Sequence, residues 1–500
     1  MGRLDLPASE LSVATVPVDN GLNVRRAPEP RGWPLLGVSW HMRTRPLPFM
    51  LQQVHELGDA IRLRLGPYCA TLFRNPEHIK QIFVDHADNY SKQTRGYQKS
   101  RLVLGQGLVT SEGELWQRQR RIATPAFSRQ RVASFAPTMT EATTAMLDAW
   151  QDRMRADPSA TIDAFEEMMK VTLAIAMRTL LGASSDVGPN AERLRSAITT
   201  MLERTNEIIT NPFSLPAWVP VPKNVAFNRA IATLDSFVYE TIAAKREQLR
   251  CDTGVLARTS GPRTGETAVS QENVAQDLLS MLLCARDEQT GEGMNDRQLR
   301  DEAVTILIAG HETTANALTW TLCLLSKHPN TRRELRAELD RILNGRVPTV
   351  DDLPKLVYTR MVLDESMRLY PPAWMIGRCA KRDDAIGPFS VRAGEFVLIS
   401  PYVTHRHPAL WPNPEGFDPT RFAPDAGPAH ALPKFAYLPF GGGQRFCIGA
   451  TFALMQATLM LATICQRCEL DLVGGYEPEP FAMITLRPKP GVPMAARFTD

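Results

Sequence analysis

A single cysteine, Cys447, lies near the end of a glycine-rich run, Phe-Gly-Gly-Gly-Gln-Arg-Phe-Cys-Ile-Gly, that spans Phe440 to Gly449. From Ile448 to Ile464 apolar side chains recur at helical spacing, so the thiol sits where a helix begins. Unpaired N–H groups at a helix start and the nearby cation of Arg445 both favour an ionised thiol. Thiolate sulfur is what a soft metal or a haem iron selects. Gly441, Gly442 and Gly443 let the backbone turn sharply and approach a flat group with no Cβ in the way. Phe440 is placed to cover the sulfur from water. Read alone, one cysteine is a small buried hydrophobe; the pattern around Cys447 argues for more.

A second set of reactive groups interrupts a long apolar helix. Asn295 with Gln298 has capping-box spacing and Pro329 ends the pattern, which predicts one helix of about thirty residues, roughly 45 Å long. In its middle, Ala309-Gly310-His311-Glu312-Thr313-Thr314 puts a glycine, an acid and two hydroxyls where a central helix should be apolar. By itself, Thr313 would bond back to the preceding turn and Glu312 would face solvent. Two further pairs have helical spacing. Glu365 and Arg368 precede Leu369-Tyr370-Pro371-Pro372, while Trp116 and Arg120 aim an indole N–H and a guanidinium the same way. Arginine fits a carboxylate fork, yet pairs of either type also occur on ordinary solvated helices.

The run Phe-x-x-Gly-x-Arg-x-Cys-x-Gly, with the polar-broken helix and the Glu-x-x-Arg pair ahead of it, resembles the cytochrome P-450 family of haem-thiolate monooxygenases over roughly residues 30 to 500. The resemblance implies a mainly α fold with a minor β region, a helix-rich prism with small β-sheets. It implies haem b (iron protoporphyrin IX), with Cys447 as the metal ligand and Phe440 and Gly449 beside it. Arg445, Trp116, Arg120 and Arg378 are then partners of the haem propionates. Gly310 would make room for dioxygen, and Glu312 and Thr313 would be the catalytic pair that brings protons to it. Glu365 and Arg368 would form a scaffold with Arg421 of Phe417-Asp418-Pro419-Thr420-Arg421-Phe422; Thr420 stands where many members carry a glutamate. Positions matching the family's substrate contacts are Ile306, Ala309 and Gly310 on the long helix. Ala373, Trp374, Met375 and Ile376 follow the proline pair, and Met483 and Ile484 lie near the end. Most are apolar, which suits a fatty acid, a terpenoid or a similar lipophilic molecule.

The elements that must carry these residues can be sketched from pattern. Residues 1–28 read as a flexible tail and 29–500 as one catalytic domain. Ile61 to Leu65 and Cys69 to Phe73 flank Gly66-Pro67 as a hairpin would, at the edge of a small sheet, and Phe396 to Ile399 reads as a strand. The stretch from Tyr90 to Leu108 is expected to close the site. Ser128 to Gln248 is mostly helical, broken at Asn211-Pro212-Phe213 and from Pro216 to Pro222, where Trp218 and Val219 belong to a surface loop. Residues 251–271, polar and bearing glycines, read as a flexible insertion.

Hydrophobic residues make up 44% and charged ones 22%, as in an ordinary globular protein. A net charge of +3 is too small at this size to argue for nucleic acid, although Arg118 and Arg121 are candidates for a local basic docking patch. The eight scattered cysteines suggest reduced thiols in a cytoplasmic setting, and Cys465 and Cys468 read as packing residues. No apolar run reaches the length of a membrane span, and Met1 to Arg26 resembles neither a signal peptide nor an anchor.

The expectation is a monooxygenase that inserts one atom of dioxygen into a lipophilic small molecule, by hydroxylation or epoxidation. No flavin or nicotinamide fingerprint follows the cysteine, so electrons from NAD(P)H are expected through a separate ferredoxin or flavodoxin system. The alternatives are a haem-dependent peroxygenase or isomerase, which needs no relay of the Glu312–Thr313 kind, and a non-catalytic haem-binding sensor.

Overall fold

The computed structural model describes residues 24–182, 189–211, 214–259, 277–425, 427–489 and 491–498. Most of the expected N-terminal tail lies outside these residues. The elements that position the site are, in chain order, strands β1 (Ala60–Leu65), β2 (Tyr68–Phe73) and β3 (Tyr90–Ser91), and helices α1 (Gly113–Ala123), α2 (Ala136–Ala156), α3 (Ala164–Leu180), α4 (Pro189–Thr210), α5 (Pro222–Thr259), α6 (Asp296–Lys327) and α7 (Val357–Leu369). Strands β4 (Ile376–Ala380) and β5 (Phe396–Ile399), helix α8 (Ala450–Arg467), and strands β6 (Glu479–Ala482) and β7 (Leu486–Lys489) complete them.

Helix α6 is the axis. The Asn295 side chain accepts from the Gln298 N–H while the Gln298 side chain accepts from the Asn295 N–H, the reciprocal cap the spacing predicts. Its residues are buried from Leu299 to Leu325 except at Ala309, Gly310 and Thr313, which share one face. Leu307, Leu318 and Trp320 of α6 join Leu173 and Ile175 of α3 and Leu459 and Ile464 of α8 in the main core. The indole of Trp320 stacks on Tyr370 with centroids 4.0 Å apart.

The larger sheet has the order β1-β2-β5-β4-β3. β1 and β2 form the expected hairpin, with Leu65 opposite Tyr68 and Gly66 at φ +62° in its turn. β5 adds to β2 in parallel, Ala70 against Phe396. β4 runs antiparallel to both β5 and β3, with Ser91 opposite Cys379. β6 and β7 make a separate hairpin whose turn is residues 483–485. The helix-rich architecture with small sheets is the one the resemblance implies.

One expectation needs adjustment. Helix α5 continues to Thr259, so residues 251–259 end a helix and are not loop; residues 260–271 lie outside the described residues. The α4–α5 connection is a surface loop with Trp218 80% exposed, while Pro212 and Phe213 fall outside the description. Cys465 and Cys468 carry free thiols, and Cys468 packs in the core. Among the described residues no helix is long and apolar enough to cross a membrane.

Candidate functional site

The cysteine run turns as its glycines require. Gly441 and Gly443 have φ of +72° and +63°, and a Cβ on Gly443 would fall 2.1 Å from the Phe83 carbonyl oxygen. The Cys447 N–H donates to the Phe440 carbonyl at 3.1 Å, and Gly449 is the N-cap of α8. Cys447 lies deep in the protein, where burial is the largest influence on its thiol, yet the residue presents open surface. Both are true of a side chain that lines an internal hollow.

The thiol departs from expectation. Burial pushes its pKa up, and the Gly449 N–H and the Arg120 charge, which pull it down, are the smaller effects. The free thiol is therefore favoured until a metal takes the sulfur, which removes its proton outright. The cation that acts on the sulfur is Arg120. Arg445 turns elsewhere, donating to the Ser111 carbonyl (3.0 Å) and to Glu112 Oε1 (2.8 Å), with its guanidinium 3.7 Å from the Trp116 ring centroid.

A surplus of positive charge gathers beside this loop. Arg378 is buried, its Nη1 donates to the carbonyl of its own neighbour Gly377, and its guanidinium lies 5.2 Å from the Phe83 ring centroid. Ser91 pairs with Cys379, the neighbour of Arg378, and Lys92, next along the chain, feels the Arg378 charge. Lys92 is buried too, donating to the Val109 carbonyl at 2.8 Å. Burial, then the charges of Arg378 and Arg445, hold its ammonium pKa well below the lysine range, opposed by Glu112. Burial likewise brings Arg445 down to about 10. Of Lys92, Arg120, Arg378 and Arg445, Arg445 alone forms an ion pair with a described carboxylate, that of Glu112. A cleft of about 310 Å³ opens here, lined by Phe83, Tyr90, Glu112, Trp116, Arg378 and Arg445. Cations held out of water in this way need anions.

On α6 the open face is Ala309, Gly310 and Thr313. A Cβ on Gly310 would come within 3.2 Å of Leu180, so the glycine admits α3 closely. Thr313 Oγ1 donates to the Ala309 carbonyl at 2.7 Å, bonding back to its own helix. Glu312 does not face solvent: it is 3% exposed and accepts from Thr485 Oγ1 at 2.7 Å. Burial pushes its carboxyl pKa up, against the Thr485 bond and the more distant Arg487 charge. The two expected relay residues are thus adjacent in sequence but engaged with different partners.

The apolar positions converge in part. Trp374 Nε1 donates to the Met483 carbonyl at 2.8 Å, joining the segment after the proline pair to the 483–485 turn. Ile376 reaches the cysteine run, 3.6 Å from where a Gly441 Cβ would sit. Ile306 and Met483 are buried, Ala373 and Met375 half-buried, and Ile484 is exposed.

Glu365, Arg368 and Arg421 meet in a fully buried cluster. Arg368 grips both Glu365 oxygens, at 2.7 and 2.8 Å, and Arg421 Nε donates to Oε1 at 3.3 Å. The remaining Arg368 donors go to the carbonyls of His405, Pro414 and Gly416. His405 faces the same cluster: its Nδ1 lies 3.2 Å from the Arg368 carbonyl and its Nε2 accepts the Leu438 N–H at 2.9 Å. The cluster is thereby tied to the start of the cysteine run.

Arg118 and Arg121 do not form an unpaired basic patch. Arg121 grips Asp287 at 2.9 and 3.1 Å, and Arg118 donates to the Gly293 carbonyl and pairs with Glu292. Lys92, Glu112 and Thr485 escaped the sequence reading. Lys92 becomes conspicuous only once β3 pairs with β4, and Thr485 only once the 483–485 turn meets α6.

Among the described residues no group of three or more His, Cys, Asp and Glu could hold a bare metal ion. A metal at Cys447 must bring its other ligands with it. One sulfur in a hollow, beside cations lacking counter-charges, fits an iron macrocycle with acidic side groups. The comparisons agree. Residues 27–493 match the sequence model of a family described as Cytochrome P450. The chain is 35% identical over 467 residues to cyclooctatin synthase of Streptomyces melanosporofaciens, covering 93% of this chain and 94% of that protein. It is 34% identical over 458 residues to cyclooctat-9-en-7-ol 5-monooxygenase of the same organism, covering 90% and 92%. With pentalenene oxygenase of Streptomyces avermitilis it shares 32% identity over 458 residues, covering 91% and 94%.

Proposed function

The chain belongs to the cytochrome P450 family, and on that premise we propose that it hydroxylates or epoxidises a cyclic terpenoid, in the cytoplasm, with electrons from NAD(P)H passed on by a ferredoxin or flavodoxin system. It is an oxidoreductase of the monooxygenase type, and its family carries haem iron. The observation that carries the reading is the Cys447 sulfur opening on an internal hollow beside unneutralised cations. Support for the substrate class comes from the relatives, named for cyclooctatin, cyclooctat-9-en-7-ol and pentalenene, and from the apolar Trp374, Ile376, Met483 and Ile484.

Haem, when bound, supplies the activation of dioxygen. Cys447 would ligate its iron, with Phe440 and Gly449 fixing the backbone on either side of the sulfur. Trp116, Arg120, Arg378, Arg445 and Lys92 would hold its carboxylates. Gly310 leaves α6 without a side chain on its open face. Splitting dioxygen takes protons delivered to one oxygen, and two groups on α6 can pass them. Thr313 offers its hydroxyl by releasing the Ala309 carbonyl, and Glu312 its carboxyl by turning from Thr485. The apolar walls orient the substrate and exclude water. Glu365, Arg368 and Arg421 hold the base of the cysteine run through His405.

The test has two stages. The reduced protein with carbon monoxide should give the strongly red-shifted Soret band of thiolate-ligated haem; a band typical of histidine ligation, or no haem uptake, overturns the assignment of Cys447. A panel of cyclic terpenes and fatty acids, with ferredoxin, its reductase and heavy-isotope dioxygen, should then yield a terpene product carrying one labelled oxygen atom. Labelled product from fatty acids alone would reject the terpenoid class.

A further inference from the structure

The turn between β6 and β7 holds two roles in three residues. Ile484 is 38% exposed, while its neighbour Thr485 is buried and donates its hydroxyl to Glu312. Behind Thr485, Asn316 Nδ2 donates to the same hydroxyl oxygen at 3.0 Å. The hydroxyl is thereby polarised toward Glu312. Asn316 Oδ1 is buried with no partner, so an acceptor waits beside the chain. With the amide reversed, a protonated Glu312 could donate to Thr485, and Thr485 to Asn316. The trio can therefore hold Glu312 in either protonation state.

On the far side of the turn, Arg487 contacts the Met483 sulfur and pairs at 3.7 Å with Glu203 of α4. The Met483 carbonyl is held by Trp374. Displacing Ile484 would therefore move a turn whose next residue grips the acid. In the structure Glu312 is docked on that turn and Thr313 is bonded to its own helix, so the two are not joined.

We propose that Thr485 is a positioning residue that holds Glu312 turned away from Thr313 until substrate seated against Ile484 shifts the 483–485 turn. Protons then reach the cavity when substrate is present and are withheld when it is absent. This rests on the monooxygenase reading above and adds the control of that site.

The test uses the haem-loaded enzyme with Thr485→Val, which keeps the shape and removes the hydroxyl, and Thr485→Ser, which keeps the hydroxyl. The infrared band of the buried Glu312 carboxyl is identified as the one lost in Glu312→Gln. It should move to higher frequency in Thr485→Val and stay in place in Thr485→Ser. With ferredoxin, reductase and NAD(P)H but no substrate, Thr485→Val should consume dioxygen roughly tenfold faster than wild type, the factor that a hydrogen bond of about 1.4 kcal/mol represents. The product is hydrogen peroxide, formed from dioxygen with two electrons from that donor and two protons. Adding Glu312→Gln to Thr485→Val should abolish the increase. An unmoved carboxyl band, or equal behaviour of the Val and Ser variants, overturns the proposal. If no terpene is oxidised, the terpenoid reading fails by itself, while the infrared comparison still decides whether Thr485 holds Glu312.

Discussion

Lys92, the residue after β3, and Arg378 of β4 are both buried and close enough for the Arg378 charge to act on the Lys92 ammonium, with Glu112 the carboxylate that offsets it. Like charges so placed repel unless an anion sits between them. Replacing Lys92 with Met keeps the volume and removes one cation. We expect haem to leave Lys92→Met about tenfold faster, in line with the loss of one charge-assisted hydrogen bond, measured as transfer to apomyoglobin. An unchanged rate would remove Lys92 from the set that holds the carboxylates.

Glu365 takes bonds from two arginines and from the Asp418 N–H and is fully buried. Glu365→Ala would leave two guanidinium groups buried without their shared partner, at a cost of about 3–5 kcal/mol. The expected outcome is little folded, haem-loaded protein, read from the thermal unfolding midpoint and the ratio of haem to protein. Normal haem content would show that the cluster is dispensable.

Thr313 carries the one hydroxyl on the open face of α6. Thr313→Ala removes it without disturbing the core. Dioxygen reduction should continue while product formed per electron pair falls several-fold, the difference appearing as peroxide. Equal product yield would assign proton delivery to another group.

Glu302, ten residues before Glu312 on α6, accepts the Leu108 N–H at 3.1 Å and is fully buried. Burial raises its carboxyl to about 8 from an ordinary 4.5, against the Leu108 bond that lowers it, with Asp301 adding to the rise. A raised pKa means the neutral acid is the form the fold prefers. That contribution is complete below about pH 4.5 and is lost as pH climbs through 8. Glu302→Gln mimics the neutral acid and has no such loss. The unfolding free energies of the two proteins, from denaturant titrations at each pH, should draw apart in favour of the variant as pH rises across that window, by on the order of a few kcal/mol. Parallel pH curves would contradict a neutral Glu302.

The parts of this molecule that were legible in sequence are those fixed by local rules. The capping box of α6, the hairpin around Gly66 and the stop at the proline pair depend on residues within a few positions of one another. Cys447 was legible because its glycines answer a backbone demand that no other residue meets. What was hidden depends on long-range meetings. Arg121 is bound by Asp287, and Glu312 by Thr485, partners far apart in the chain that no spacing rule connects. The thiol expectation failed for a related reason: helix starts and nearby cations can be read from a sequence, whereas the depth of burial that outweighs them cannot.

The parallel pairing of β2 with β5 sets a schedule for synthesis. Ala70 meets Phe396 in that ladder, so β2 leaves the ribosome long before its neighbour exists. At 5–20 residues per second the wait is on the order of tens of seconds. Throughout it, β2 has a vacant edge, and the hairpin it shares with β1 must stay unpaired on that side without meeting another nascent chain. Slow passage through the later codons would lengthen that exposure, and a chaperone that shields the hairpin would shorten its risk.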